Sequence, residues 1–151
     1  MEWNADFYED KHGFVADYGK DLLSHVPDNP GQAILDLGCG TGALTQELLA
    51  KSAHVVGRML HPDIDFRVVD ACRMPWSNRF DVVFSIAVFH WISDQKALLE
   101  NIFRVLKPQG RLVCEFGAVR NIHRIQQAFQ FSLSRQKRHH ENPFYFPTVE
   151  E

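Results

Sequence analysis

Ile34, Leu35, Asp36 and Leu37 run straight into Gly38, Gly40 and Gly42, after which Ala43 and Leu44 open a helical pattern. Three glycines at alternate positions between a short apolar run and a helix constrain a chain tightly. Glycine lets the backbone take left-handed turns and lets the main chain approach a ligand that a side chain would block. In open α/β sheets such a turn lies at the carboxyl end of a strand, where nucleoside ligands sit.

The rest of the chain supplies the elements that such a turn requires. Residues 33–37, 80–87 and 111–116 are apolar runs that read as buried strands, and the Val-rich runs 54–57 and 66–69 are weaker candidates. Between them, 42–51 carries Leu44, Leu48 and Leu49 on one helical face, and 94–106 carries Leu98, Leu99, Ile102, Val105 and Leu106. Strands alternating with amphipathic helices predict a Rossmann-like, doubly wound α/β fold with a mostly parallel sheet and helices on both faces. Phe7, Phe14, Val15, Tyr18 and Leu22 predict a broken helix or two short ones before the first strand. A final helix is expected over 121–137, capped by Asn121, with Ile122, Ile125, Phe129 and Leu133 as its buried stripe. At 151 residues and 45% hydrophobic, the chain has material for one domain. It divides into a helical lid (1–32), a cofactor-binding core (33–117) and a C-terminal helix and tail (118–151).

A net charge of -3 provides no basic field for a nucleic-acid backbone, and the basic run 135–140 reads as the solvated end of a helix. Cys39, Cys72 and Cys114 form no C-x-x-C pair and leave an odd number. Neither a disulfide framework nor a metal site is expected. The first ten residues lack the pattern of a signal peptide, and no stretch reaches the roughly 18 consecutive apolar residues of a membrane span. The expectation is a cytoplasmic protein with no nucleic-acid or membrane partner; its oligomeric state is open.

Two ligand classes use a glycine turn of this kind. Gly38, Gly40 and Ala43 satisfy the dinucleotide spacing G-x-G-x-x-G/A, so spacing alone leaves a nicotinamide cofactor open. Asp36 tips the balance, because a carboxylate two residues before the first glycine welcomes a cationic amino group and repels a pyrophosphate.

The order of four motifs resembles class I S-adenosylmethionine-dependent methyltransferases, most of all the small-molecule branch that includes trans-aconitate methyltransferase. These motifs are 36–42, Val69 with Asp70 and Ala71, 80–85 with His90 and Trp91, and 105–110. Phe7, Tyr8, Lys11, His12 and residues 142–147 extend the likeness over nearly the whole chain. The resemblance implies S-adenosyl-L-methionine as cofactor, with Asp36, Gly38, Cys39 and Gly40 around its methionine end. It implies that Asp70 accepts a hydrogen bond from the adenine amino group and that the backbone at Ala71 or Cys72 meets a ring nitrogen. Ile86 would offer its carbonyl near the sulfonium, and Tyr8 and His12 would belong to the lid. Each has a plainer reading: Asp70 as a turn acid or helix cap, Tyr8 as core. His90 is the candidate catalytic base, with a packing role as its alternative. Trp91 is the candidate wall of the substrate pocket.

The likeness breaks in two places. No acid stands at the expected place just after the second strand to take the ribose hydroxyls, and the six residues 58–63 are too few for the crossover helix between parallel strands. A segment missing between Gly57 and Arg58, a deletion in the protein itself, or an antiparallel rearrangement would each account for this; the match on either side favours the first. The antiparallel hairpin that closes the family's sheet also has no strand pattern here. The expected function is methyl transfer to a small-molecule acceptor, a carboxylate among the candidates. A non-catalytic remnant serving as an interaction module is the alternative, and an NAD(P)-dependent oxidoreductase with Arg58 at a 2′-phosphate is the weakest reading.

Overall fold

The computed structural model describes residues 19–40, 42–51, 54–56, 65, 67–139, 141–148 and 150. Strand β1 (Ala33–Asp36) lies between β2 (His54–Val56) and β3 (Phe80–Ile86), and β4 (Leu106–Glu115) pairs with the far side of β3. The order is β2-β1-β3-β4 and every pairing is parallel. Helices α1 (Ala43–Ala50), α2 (Gln95–Val105) and α3 (His123–Arg135) alternate with the strands, and short 3-10 turns occupy Ala71–Arg73 and Phe89–Trp91.

Strand alternation builds a core on each face of the sheet. Ile34, Val82, Phe84 and Val113 point to one side, where Leu44 and Leu48 of α1 join Leu23 and Val26 from the segment before β1. Leu35 and Val83 point to the other, where Leu98, Ile102 and Val105 of α2 pack with Met74, Trp76, Phe80 and Phe89. Covering both faces explains why the central strands read as almost unbroken apolar runs. Burying one leucine-sized side chain this way is worth about 2 kcal/mol.

Asp94 caps α2 by accepting the Ala97 N–H at 3.0 Å. At the amino end of the sheet, Asp81 Oδ2 accepts the Ala33 N–H and a Lys107 Nζ–H, each at 2.7 Å. Three successive segments, β1, β3 and the start of β4, are thus tied at one carboxylate. Between Phe80 and Val82 the β4 register jumps from Leu106 to Arg111, so 107–110 loops out, with Gln109 at φ 67°.

Three expectations need correction. Residues 67–69 are not a strand, and Val68 is 76% exposed. The short Val-rich run carries the right residue types, but these residues join no ladder. The last helix does form, yet Ile122 and not Asn121 is its cap residue, and no side chain on it is buried. Ile125 is 69% exposed. Helical period identifies a stripe but supplies no surface to bury it, and only Ile122, Gln126 and Leu133 reach partial burial. The fourth strand begins at Leu106 rather than Arg111, because the backbone pairs before the bulge as well as after it. Among the described residues 141–148 none is a strand, and no strand pairs with the outer edge of β4. Tyr8, His12 and the 57–64 break lie outside the described residues.

Candidate cofactor and acceptor site

Asp36, Gly38, Cys39, Gly40, Ile86, His90 and Trp91 lie at or just beyond the carboxyl ends of β1 and β3, whereas Asp70, Ala71 and Cys72 follow no described strand and sit on a turn tied to α2. β1 ends at Asp36 and the chain turns at once through Gly38 (φ 78°), Gly40 (φ 56°) and Gly42 (φ 90°), the last being the cap residue of α1. The turn is held from β3: the Leu37 N–H donates to Phe84 O at 2.8 Å and the Ser85 hydroxyl donates to Leu37 O at 2.9 Å. Two of the glycines are required for different reasons. A Cβ on Gly38 would meet Val88 Cγ2 at 2.2 Å, so here the turn packs against the loop after β3. Among the described residues, a Cβ on Gly40 would meet nothing within 4 Å.

Asp36 is buried beneath the turn, and the buried Thr45 hydroxyl donates to its Oδ2 at 2.6 Å. Burial pushes the carboxyl up to about 7, with the Thr45 hydrogen bond pulling the other way. An acid in this state gains from a nearby cation, which restores the stabilisation that lost water no longer supplies. Thr45 was not expected. Its only sequence signal is a small polar residue between Leu44 and Leu48 on the stripe that faces the core.

Asp70 heads the 3-10 turn Ala71–Arg73, and its Oδ1 accepts the Cys72 N–H at 2.9 Å. The capping role foreseen as the plainer alternative is therefore real. Among the described residues nothing else donates to this exposed carboxylate. The Cys72 N–H is engaged, which leaves the Ala71 N–H as the backbone donor of the pair. Burial raises the Cys72 thiol, with Asp70 and Asp94 adding to the effect.

After β3, Ile86 leads into Ala87 (φ 56°), whose N–H donates to Glu115 O at 2.7 Å, and then into the turn Phe89–Trp91. His90 Nδ1 accepts the Gly117 N–H at 3.3 Å, and burial lowers its pKa. A neutral ring accepting at Nδ1 carries its proton on Nε2. Trp91 is 61% exposed. The tail crosses this corner: the Tyr145 N–H donates to His90 O and the Val119 N–H to Pro147 O, each at 2.9 Å. Phe144 lies 4.5 Å from the Trp91 ring edge to face, and Phe144 and Phe146 lie 5.9 and 5.7 Å from the His90 ring. These two phenylalanines were seen in the sequence only as part of the likeness; their aromatic spacing at 144 and 146 was the signal.

Residues 35–114 match the family model described as a methyltransferase domain. An uncharacterized methyltransferase of Schizosaccharomyces pombe is 31% identical over 95% of this chain and 64% of its own length. The chain belongs to the methyltransferase domain family. The trans-aconitate 2-methyltransferase of Deinococcus radiodurans is 30% identical over 78% of this chain and 50% of its own. Phosphoethanolamine N-methyltransferase 1 of Haemonchus contortus, solved with phosphoethanolamine and S-adenosylhomocysteine, superposes with a TM-score of 0.68. At 19% identity over 96% of this chain and 36% of that one, it shows the shared fold.

This methyltransferase domain spans about half to two thirds of the length of such relatives. The alignment with the fission-yeast relative runs over 168 positions against a chain of 151 residues. That relative therefore carries residues, inside the matched span, that this chain lacks. The family's cofactor is S-adenosyl-L-methionine, and the groups present suit it: a left-handed glycine turn, the buried Asp36 carboxyl and the exposed Asp70 carboxylate. Among the described residues no group of three or more His, Cys, Asp or Glu is placed to hold a metal ion, and no helix is long and apolar enough to cross a membrane.

Proposed function

We propose that this domain binds S-adenosylmethionine across the carboxyl ends of β1 and β3 and directs its methyl group to a small-molecule acceptor. The observation that carries the reading is the left-handed glycine turn that follows directly in sequence on the buried Asp36, with a Cβ at Gly40 meeting none of the described residues. Asp36, with Gly38, Cys39 and Gly40, takes the methionine end. Asp70 accepts from the adenine amino group, the Ala71 N–H meets a ring nitrogen, and the Ile86 carbonyl lies toward the sulfonium. When bound, the cofactor supplies a methyl group on a sulfonium, which leaves a neutral thioether behind, so alignment does much of the catalytic work.

The acceptor lies against Trp91 and His90. With its Nδ1 occupied and its pKa lowered, His90 offers an Nε2–H and holds an acceptor oxygen rather than removing a proton. That state suits an acceptor that needs no deprotonation, such as a carboxylate. Tyr8 and His12 are assigned to a lid over this site by likeness alone.

Calorimetric titration with S-adenosylmethionine and S-adenosylhomocysteine, with NADPH as control, tests the reading. Micromolar binding of either with NADPH silent is the expected result. A folded sample that binds neither overturns it and leaves the fold as an interaction module; NADPH binding alone would mark a nicotinamide oxidoreductase.

A further inference from the structure

The turn that carries Asp70 makes little structure of its own, yet its shape is set with unusual completeness from α2. Asn101 donates from Nδ2 to Cys72 O at 2.6 Å and to Ala97 O at 2.9 Å. One turn along the same helix face, Arg104 reaches out with both terminal guanidinium nitrogens, to Trp76 O and, at 2.5 Å, to Met74 O. The two side chains are also joined, because Arg104 donates to Asn101 Oδ1 at 2.5 Å. Three alternate carbonyls, at residues 72, 74 and 76, are thereby fixed by one linked pair.

Fixing the Cys72 carbonyl constrains the turn that also presents the Cys72 N–H. That N–H is donated to Asp70 Oδ1, so the pinned turn decides which way the Asp70 carboxylate faces. Released from the pair, the turn would keep the Arg73 N–H to Asp70 O bond at 2.9 Å, the Cys72 thiol on Asp94 O at 3.7 Å and the packing of Ala71 and Cys72 on the core, none of which holds the Cys72 carbonyl.

We propose that Asn101 and Arg104 are positioning residues that hold the Asp70 turn in the one shape that reads the base of the nucleoside cofactor. The inference rests on the assignment of Asp70 to the adenine amino group. Arginine suits the task because its rigid planar fork aims separate N–H groups at two carbonyls in fixed directions, where a lysine offers one freely rotating ammonium. Asparagine suits it because two donors on one nitrogen bridge the helix and the turn.

The test compares S-adenosylhomocysteine with S-inosylhomocysteine, in which an oxo group replaces the 6-amino group, by titration against the wild type, Asn101→Ser and Arg104→Lys. Both variants are mild: serine still bonds back to Ala97 O, and lysine keeps the charge. The wild type should prefer the adenosyl ligand by about ten-fold or more, since a site built around a donor rejects a ligand lacking it. Each variant, folded by circular dichroism, should lose most of that preference. A preference that survives in both variants overturns the inference alone, as does unfolding of both, which would make the pair structural only. A wild type that binds the two ligands alike, or neither, refutes the adenine assignment and the inference with it.

Discussion

At the scale of single residues, the proposed role of Asp36 predicts that cofactor binding depends on pH. Its carboxyl titrates at about 7 because it is buried, against an ordinary value of 3.8. A raised acid stabilises the fold most below the ordinary value, and that contribution is lost as pH rises through about 7. Asp36→Asn removes this slope, so between pH 5 and pH 8 the variant should gain about 2 kcal/mol on the wild type in urea unfolding. Binding runs the other way. A cationic amino group needs the ionised acid, so wild-type affinity for S-adenosylhomocysteine should climb about ten-fold per pH unit below 7 and flatten above it. An affinity independent of pH across this range would remove Asp36 from the methionine end. The glycines separate in the same manner. Gly38→Ala collides with Val88 and takes a positive φ, and should cost about 3 kcal/mol of stability. Gly40→Ala meets none of the described residues, so it should cost only about 1 kcal/mol in strain yet sharply weaken ligand binding. Melting curves set beside titrations distinguish the two outcomes.

At the scale of elements, the site depends on strands being held in register at their other end. Asp81 does this at the amino end of the sheet. Partial burial raises its pKa, but the Ala33 N–H and the Lys107 ammonium outweigh that and leave the carboxyl below its usual range. A lowered acid stabilises the fold above its ordinary pKa, and this is lost as pH falls through the folded value. Asp81→Asn should therefore cost about 1 kcal/mol at pH 7, the modest figure reflecting its exposure, and the gap to wild type should close in acid. Equal destabilisation at pH 7 and pH 3 would show that the charge is irrelevant. Helix α2 serves the site in two ways: its buried stripe of Leu98, Ile102 and Val105 packs on the sheet, while Asn101 and Arg104 reach the Asp70 turn. Those two roles lie on adjacent faces of one helix, which is why the polar pair looks like ordinary surface in the sequence.

At the scale of the whole molecule, the proposed cofactor and acceptor site draws on three stretches separated in sequence: the glycine turn, the Asp70 turn and the corner where Phe144 and Phe146 meet His90. Saturation with S-adenosylhomocysteine at about one hundred times its Kd should raise stability by about 2.7 kcal/mol. For a chain of this size that corresponds to a rise of about 5–10 °C in Tm. No shift at saturating ligand would mean that the site is not assembled in this chain.

Local sequence by itself determined much of this protein: strand and helix identities, the glycine turn and its conformation, and the acid beside it. These follow from period, from the backbone freedom of glycine and from the burial of apolar runs, all of which act over a few residues. Thr45 under Asp36, the pairing of Asn101 with Arg104, and the tail against His90 were decided only by the tertiary structure. So were the failure of residues 67–69 to pair and the exposure of Ile125 on α3. Each depends on what lies opposite a residue in space, and a partner 28 or 30 positions away, as Trp76 and Met74 are from Arg104, leaves no mark in local sequence.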